Sequence, residues 1–351
     1  MTAPMLRPRQ IIKGLQQIGY HVDVIEGTAE ERKAKIKIIK QNIVSGIHYD
    51  FMYAESSSMP TLLTDSHHLP LHPCMDFSFF HFAKKNHIKI GLFYRDIYWK
   101  FDEYKKAVPV WKRVPAIICY HYDLLIYKKL LYKLYLPSYS VYKYLSSLNI
   151  EERTDELPSG CESLKIEMQE KPLDFSNRNL NIFYVGGLGN QYQIEELLKA
   201  VLMVPKCDLT ICCRKNEWEK EKKHLCQYQS SRIHIIHKSS NELEELYAKA
   251  DICSLLFKPD MYREMAMPYK AFEYLAHLKP VLVSQNTAIG NFVALNNIGW
   301  SIEYKASEIT AVLNKIIDCP QLLIDKQLAC VQARAENTWT KRALKIAEDL
   351  T

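Results

Sequence analysis

Residues 250–284 read ADICSLLFKPDMYREMAMPYKAFEYLAHLKPVLVS, and the order of residue types in them decides the fold. Ile252 to Phe257 is almost wholly apolar and of strand length, and Val281 to Ser284 is a second such run. Runs of this kind mark strands buried on both faces, as in parallel sheets. Between them lie a polar loop and a helix that opens at Met267-Pro268-Tyr269, where proline loses nothing because the first turn has no partner for its missing N–H. Strand, helix, strand is the repeating unit of a parallel α/β sheet. Lys270 and Glu273 are three residues apart in the first turns of that helix and share a face. A helix N-terminus following a parallel strand attracts anions, through its N–H groups and its dipole. A lysine there suits a diphosphate, and a carboxylate suits the paired hydroxyls of a ribose. One short segment thus has the groups to hold a nucleoside diphosphate.

The same alternation continues on both sides. Downstream of residue 179, strands are predicted at Leu180–Val185, Asp208–Cys213, Arg232–Ile236, Ile252–Phe257, Pro280–Ser284 and Gly299–Tyr304, with helices between them, notably Ile194–Val204 and Glu242–Lys249. Two helical stretches close the chain, Gln321–Asn337 and Thr340–Leu350. Upstream, Arg9–Ile18 has helical spacing of Ile11, Ile12, Leu15 and Ile18, and Gly19 is placed to end it. Strands follow at His21–Ile25, Asp50–Ala54, Ile88–Tyr94 and Tyr132–Leu136, and helices at Met75–Asn86 and Pro115–Leu130. The polar, turn-rich segment from Cys161 to Asn179 is the candidate linker. The domains expected are therefore 1–160, a linker 161–179, 180–337, and a terminal helix 338–351.

Composition bounds the class. The 351 residues suggest about two domains, with 48% hydrophobic and 25% charged residues, values ordinary for a globular protein. No apolar run approaches the ~20 residues that cross a bilayer, and the first residues carry no signal-peptide core. Ten cysteines without a C-x-x-C, two of them adjacent at Cys212-Cys213, read as free thiols of a reducing compartment, so a cytoplasmic protein is expected. Net charge is +6 but uneven: Lys105 to Leu145 holds eight Lys or Arg against one acid, Asp123, and nine aromatics of which eight are tyrosine. Such a face, with Lys128, Lys129 and Lys133 near its middle, suits anionic lipid headgroups or, through phosphates, nucleic acid. A solvated helix face over buried tyrosines is the plainer alternative.

Residues 268–282, P-Y-K-A-F-E-Y-L-A-H-L-K-P-V-L, resemble the donor-binding segment P-x-K-x-x-E-Y-x-A-x-G-x-P-V of GT-B glycosyltransferases, closest to bacterial family 4 and glucuronosyltransferase-like enzymes of surface-polysaccharide synthesis. The resemblance implies two facing Rossmann-like α/β domains with parallel sheets, an interdomain cleft, and a last helix returning to the N-terminal domain. It implies that Lys270 contacts the donor diphosphate and Glu273 the ribose. It also implies a nucleotide-sugar donor, most commonly a UDP-sugar, a lipid-linked or polysaccharide acceptor at a membrane surface, no nucleic acid, and no metal or other cofactor. Two positions depart from the pattern. Leu278 stands where the family has glycine, and the acid that retaining members carry eight residues before the second glutamate would fall at Met265, with Glu264 one position away. Inverting and retaining mechanisms both stay open. GT-B proteins also open with a strand and a glycine loop ahead of the first helix. This chain starts about where that loop would be, so the first strand is expected to be missing.

Further candidates sit at predicted strand ends, where open α/β sheets bind ligands. Gly186-Gly187-Leu188-Gly189 follows the strand NIFYV; it lets backbone approach a phosphate or sugar, or is merely a tight turn, and G-x-G-x-x-G is not satisfied. Retaining members place an arginine and a lysine just after this turn, where Asn190-Gln191-Tyr192 stand here. Arg214 is a second phosphate candidate, with Lys215, His237 and Lys238 weaker ones. In the first domain Arg95-Asp96 ends a strand; Asp96 is the candidate base for an acceptor hydroxyl and Arg95 either orients it or binds acceptor, unless the pair is structural or a helix cap. Glu55, Ser56 and His67 are the acceptor-binding candidates. His67, His68, His72, Cys74 and Asp76 match no zinc spacing and predict no metal site. A non-catalytic nucleotide-sugar-binding partner subunit, or an epimerase of the same architecture, are the alternative functions.

Overall fold

The computed structural model describes residues 3–166, 174–189, 192–239 and 242–351. It divides the chain into two compact units, Met1–Ser159 with Trp339–Thr351, and Gly160–Thr338. The first unit opens with α1 (Ala3–Gln17) and α2 (Ala29–Val44), then β1 (Phe51–Glu55), α3 (Met75–Lys85), β2 (Lys89–Phe93), α4 (Asp102–Ala107), α5 (Val110–Leu130), β3 (Lys133–Leu136) and β4 (Thr154–Glu156). Its four strands pair in sequential order, all parallel, with Phe51 opposite Lys89, Gly91 opposite Lys133 and Leu134 opposite Thr154.

Gly19 closes α1 as its sequence predicts. At φ +100° it donates to Gln16 O while Tyr20 N reaches Leu15 O at 3.0 Å, the paired bonds of a Schellman cap. The alternation at His21–Ile25 predicts a strand, but none forms there. Ile25 instead packs on the small core of Ile36, Ile39 and Phe79 beneath α2, a packing contact and not a ladder. Helix α5 starts at Val110, five residues earlier than predicted. Pro109 precedes it as N-cap and Pro115 lies near enough to the start that one intrahelical bond is lost.

The second unit is β5 (Leu180–Val185), α6 (Glu195–Met203), β6 (Cys207–Cys212), α7 (Lys215–Leu225), β7 (Ile233–Ile236), α8 (Glu244–Lys249), β8 (Ile252–Leu255), α9 (Tyr269–Ala276), β9 (Val281–Ser284), α10 (Ala288–Leu295), β10 (Gly299–Ile302), α11 (Ala306–Asp318) and α12 (Gln321–Glu336). Its six parallel strands lie in the order β10-β9-β8-β5-β6-β7. Successive side chains enter opposite cores: Ile182 and Tyr184 join Leu209, Leu313 and Ile316 on one face, Phe183 and Val185 join Tyr247, Phe272 and Leu275 on the other. Both faces are covered, which is why these strands read as apolar runs. After α12 the chain returns to the first unit as α13 (Trp339–Leu350), which lies along α1 and against β1 and β2. Gly14 and Gly91 permit this approach: a Cβ on either would come within 2.8 Å of Trp339 O or Leu350 Cδ1.

Candidate functional site

In the second unit the strand order reverses between β5 and β8, so the loops leaving their carboxyl ends part at that point. This is where an open α/β sheet leaves a crevice for ligands. The loop after β5 is the glycine turn. Tyr184 Oη donates to Gly187 O at 2.5 Å, and the Tyr192 ring lies so close over Gly187 that a Cβ would come within 2.6 Å of it. Gly189 has φ +108°, a left-handed conformation that only glycine adopts without strain. Asn190 and Gln191 lie outside the described residues.

The loop after β8 brings a cation that the sequence reading did not single out. The Arg263 guanidinium sits 4.7 Å from the Phe257 ring centre and 5.4 Å from that of Tyr192, while its Nε bonds Asp260 at 3.2 Å. It is thereby held over the glycine turn, with its side chain only 17% exposed. No spacing rule marks an arginine in a polar loop; the signal lies in the two aromatics, one after each strand, that meet beneath it.

Helix α9 follows that loop. Pro268 is its N-cap and offers no side-chain bond to the first turn, which keeps the end available to an external acceptor. Met267, Pro268 and Tyr269 are half-buried around this end, and burial pushes the Tyr269 hydroxyl up to about 12. Lys270 Nζ donates to Glu273 Oε2 at 2.7 Å, and Glu273 Oε1 accepts from Tyr247 Oη at 2.8 Å. Tyr247 is in turn stacked on His277, with ring centres 4.0 Å apart, and burial holds the His277 imidazolium down at about 4. The pair is therefore preset from behind by an uncharged aromatic stack. Lys270 and Glu273 are 32% and 23% exposed, open enough to meet a ligand. Leu278, the departure from the family glycine, has φ +55° and is buried; its N–H reaches Leu275 O and that of Lys279 reaches Tyr274 O. It occupies the left-handed position of a Schellman cap, which is the physical reason glycine is usual there.

Arg214 caps α7 and pairs with Glu217 Oε1 at 2.7 Å, and Glu217 Oε2 accepts from Leu188 N of the glycine turn. That chain of contacts brings Arg214 to the turn while leaving its side chain 73% exposed. Lys215, His237 and Lys238 are exposed, with His237 Nδ1 on Cys213 O at 2.9 Å. Met265 is buried and the neighbouring Glu264 is exposed, so an apolar side chain stands at the position of the retaining acid.

In the first unit Glu55 is locked. Its carboxylate meets Arg7 Nε at 3.2 Å and Arg95 Nη2 at 3.0 Å, accepts from Tyr53 Oη, and is 7% exposed. Arg95 thus pairs with Glu55 and not with Asp96. Ser56 Oγ accepts from Arg95 N at 2.9 Å. Asp96 is half-buried, and its Oδ1 caps the following turn by accepting from Tyr98 N at 2.8 Å. The histidine-rich loop is split among separate partners: His67 lies near Asp65, His68 on Leu63 O, His72 on Glu30, and Asp76 on Arg32. Among the described residues no group of three or more His, Cys, Asp or Glu side chains comes together as a metal site.

In the tyrosine-rich basic stretch the plainer reading, a solvated helix face over buried tyrosines, fits four of the tyrosines. Tyr120, Tyr127, Tyr135 and Tyr142 are buried, and Lys133, on β3, pairs with Asp155 at 3.7 Å. Tyr120 and Tyr127 enter the core from α5, whereas Tyr132 and Tyr139 beyond the helix stay exposed. No helix among the described residues is long and apolar enough to cross a membrane.

Residues 165–335 match the family model of the glycosyl transferases group 1. No curated protein matches the sequence. Among solved structures, HepE of Anabaena in complex with UDP is similar at TM-score 0.62 and 11% identity, over 90% of this chain and 82% of that one. WaaG, a glycosyltransferase of lipopolysaccharide biosynthesis, is similar at 0.58 and 14%, over 100% and 96%. Sucrose-phosphate synthase of Thermosynechococcus elongatus follows at 0.59 and 13%, over 99% and 92%. Two parallel α/β units with these neighbours define the GT-B fold. The matched stretch lies within the second unit and carries Lys270, Glu273 and the glycine turn.

Proposed function

We propose that this protein transfers a sugar from a UDP-sugar to a hydroxyl of a lipid-linked or polysaccharide acceptor. The observation that carries the donor half is the preset Lys270–Glu273 pair at an uncapped helix N-terminus beside the strand-order reversal. On binding, Lys270, the N–H groups of α9 and Arg263 neutralise the diphosphate, with Arg214 at the rim. Glu273 accepts from the ribose hydroxyls. The glycine turn lets backbone come close to the phosphates. HepE is described in complex with UDP and with UDP and glucose, which supports a uridine donor.

In the transfer step the acceptor oxygen attacks the anomeric carbon and the bond from that carbon to the donor phosphate oxygen breaks. Nucleoside diphosphate leaves with the electron pair, where the same cations offset its charge. The acceptor proton passes to a base, for which Asp96 is the candidate. Glu55 is the weaker choice, since two arginines already hold its carboxylate. With the apolar Met265 where retaining members carry an acid, inversion is at least as well supported as retention.

A thermal-shift screen against UDP-, GDP-, ADP- and CMP-sugars tests the donor, because a ligand binding only the folded state raises its melting temperature. UDP and UDP-sugars are expected to raise it most. A shift with none of them would overturn the reading, and a shift without nucleotide release in the presence of acceptors would favour a non-catalytic binding subunit.

A further inference from the structure

Helix α5 presents an apolar stripe on the side away from its core. Val110, Trp111, Val114, Ile118 and Leu125 are 61%, 72%, 50%, 64% and 57% exposed. At ~100° per residue they fall within about 100° of arc, opposite the buried Ala116, Tyr120, Asp123 and Tyr127. Trp111 to Leu125 covers about 21 Å of helix. Isolated exposed apolar residues are ordinary, but five on one helix face, with the exposed His121 between Ile118 and Leu125, mark an interaction face.

The charges around the row say what covers it. Lys112 Nζ stands 4.8 Å over the Trp111 ring at one end, with Lys106 exposed nearby in sequence, while Lys105 pairs with Asp102 and Glu103 is an exposed acid beside them. At the other end Lys128 and Lys129 lie on the flanks of the stripe, and Lys84 Nζ donates to Lys129 O. The one acid of the helix, Asp123, is buried on the opposite side. A second copy of this face would bring like charges together, and nucleic acid has no use for a row of aliphatic side chains. An apolar row with a tryptophan, rimmed by lysines, suits the boundary of an anionic bilayer, where apolar groups enter the acyl region and ammonium groups stay among headgroups.

We propose that α5 lies in the surface of anionic membranes, with Trp111, Ile118 and Leu125 inserted and Lys112, Lys128 and Lys129 at headgroup level. This goes beyond the donor chemistry and stands without it, since all of these residues are in the first unit.

The test is flotation of the full chain with phosphatidylcholine vesicles, with and without phosphatidylglycerol. Wild type is expected to float only with the anionic lipid, less so at high salt, with a blue shift of tryptophan emission that Trp111→Phe removes. Ile118→Glu with Leu125→Glu should weaken partitioning on the order of 100-fold, since two apolar side chains no longer enter the acyl region. Lys128→Gln with Lys129→Gln, a second and milder variant, should weaken it about 30-fold. All these side chains except the half-buried Lys128 are exposed, and circular dichroism checks that each variant stays folded. Wild type left unfloated at low salt would overturn the proposal. So would floating that neither double variant changes, or a dimer in ultracentrifugation that the glutamate variant dissolves.

Discussion

Replacing Glu273 by alanine puts the donor site to its sharpest test. Two charge-assisted hydrogen bonds to a ribose are worth about 1.5–3 kcal/mol each. The carboxylate is already engaged by Lys270 at 2.7 Å and Tyr247 at 2.8 Å, so ribose binding exchanges bonds rather than adding them. Alanine also leaves Lys270 available to the diphosphate. The net loss is therefore nearer ~1.5–3 kcal/mol, a fall in UDP affinity of roughly 10- to 150-fold. The buried Tyr247 hydroxyl loses its acceptor, at a cost of about 1–3 kcal/mol in stability, so titration calorimetry must be run well below the lowered melting temperature. Glu273→Gln keeps that acceptor and the side-chain shape but loses the charge, which predicts a fall of about tenfold with little change in stability. Both variants binding UDP within about twofold of wild type would show that the carboxylate is not at the ribose.

Lys270→Ala should weaken UDP much more than uridine, with partial recovery in Lys270→Arg; equal losses for the two ligands would place Lys270 elsewhere than at the diphosphate. Asp96→Asn should leave UDP affinity intact and cut turnover by roughly 10²–10⁴-fold, and near-normal turnover would move the base to another residue. Leu278 couples a strained φ of +55° to a buried side chain. Leu278→Ala keeps the strain and loses the packing, so it should be less stable than Leu278→Gly by about 1 kcal/mol, the reverse of the usual helical order. Burial raises the Asp123 carboxyl to about 6, and its Oδ1 has no hydrogen-bond partner. The folded chain then binds more protons than the unfolded one between about pH 4 and 6, so this group's contribution falls as pH rises through that window and reaches a cost of up to ~3 kcal/mol above it. Asp123→Asn should melt higher than wild type at pH 7.5, with the gap closing by pH 5; parallel melting curves at both pH values would refute the assignment.

Residue order alone carried the parallel α/β character, the Schellman end of α1, and the pairing of Lys270 with Glu273, because each depends on neighbours within a turn or on the apolar run of one strand. Helix α2 was missed, because its apolar face is weak, although the capping box Thr28-x-x-Glu31, where Glu31 accepts from Thr28 N at 2.7 Å, marks its start. The alternation at His21–Ile25 misled, since period two serves a packed extended segment as well as a strand. Only the tertiary structure set Arg263 over the glycine turn. Its aromatic seat comes from loops after β5 and β8, which become neighbours through a strand order that no local pattern encodes. The same holds for Glu55, gripped by Arg7 from α1 and by Arg95 from beyond β2. Around α5, composition named the ingredients but not their side: the lysines and aromatics are the same whichever way the helix turns. Packing against α3 and the 58–63 loop sends Tyr120 and Tyr127 inward and leaves Trp111, Ile118 and Leu125 outside.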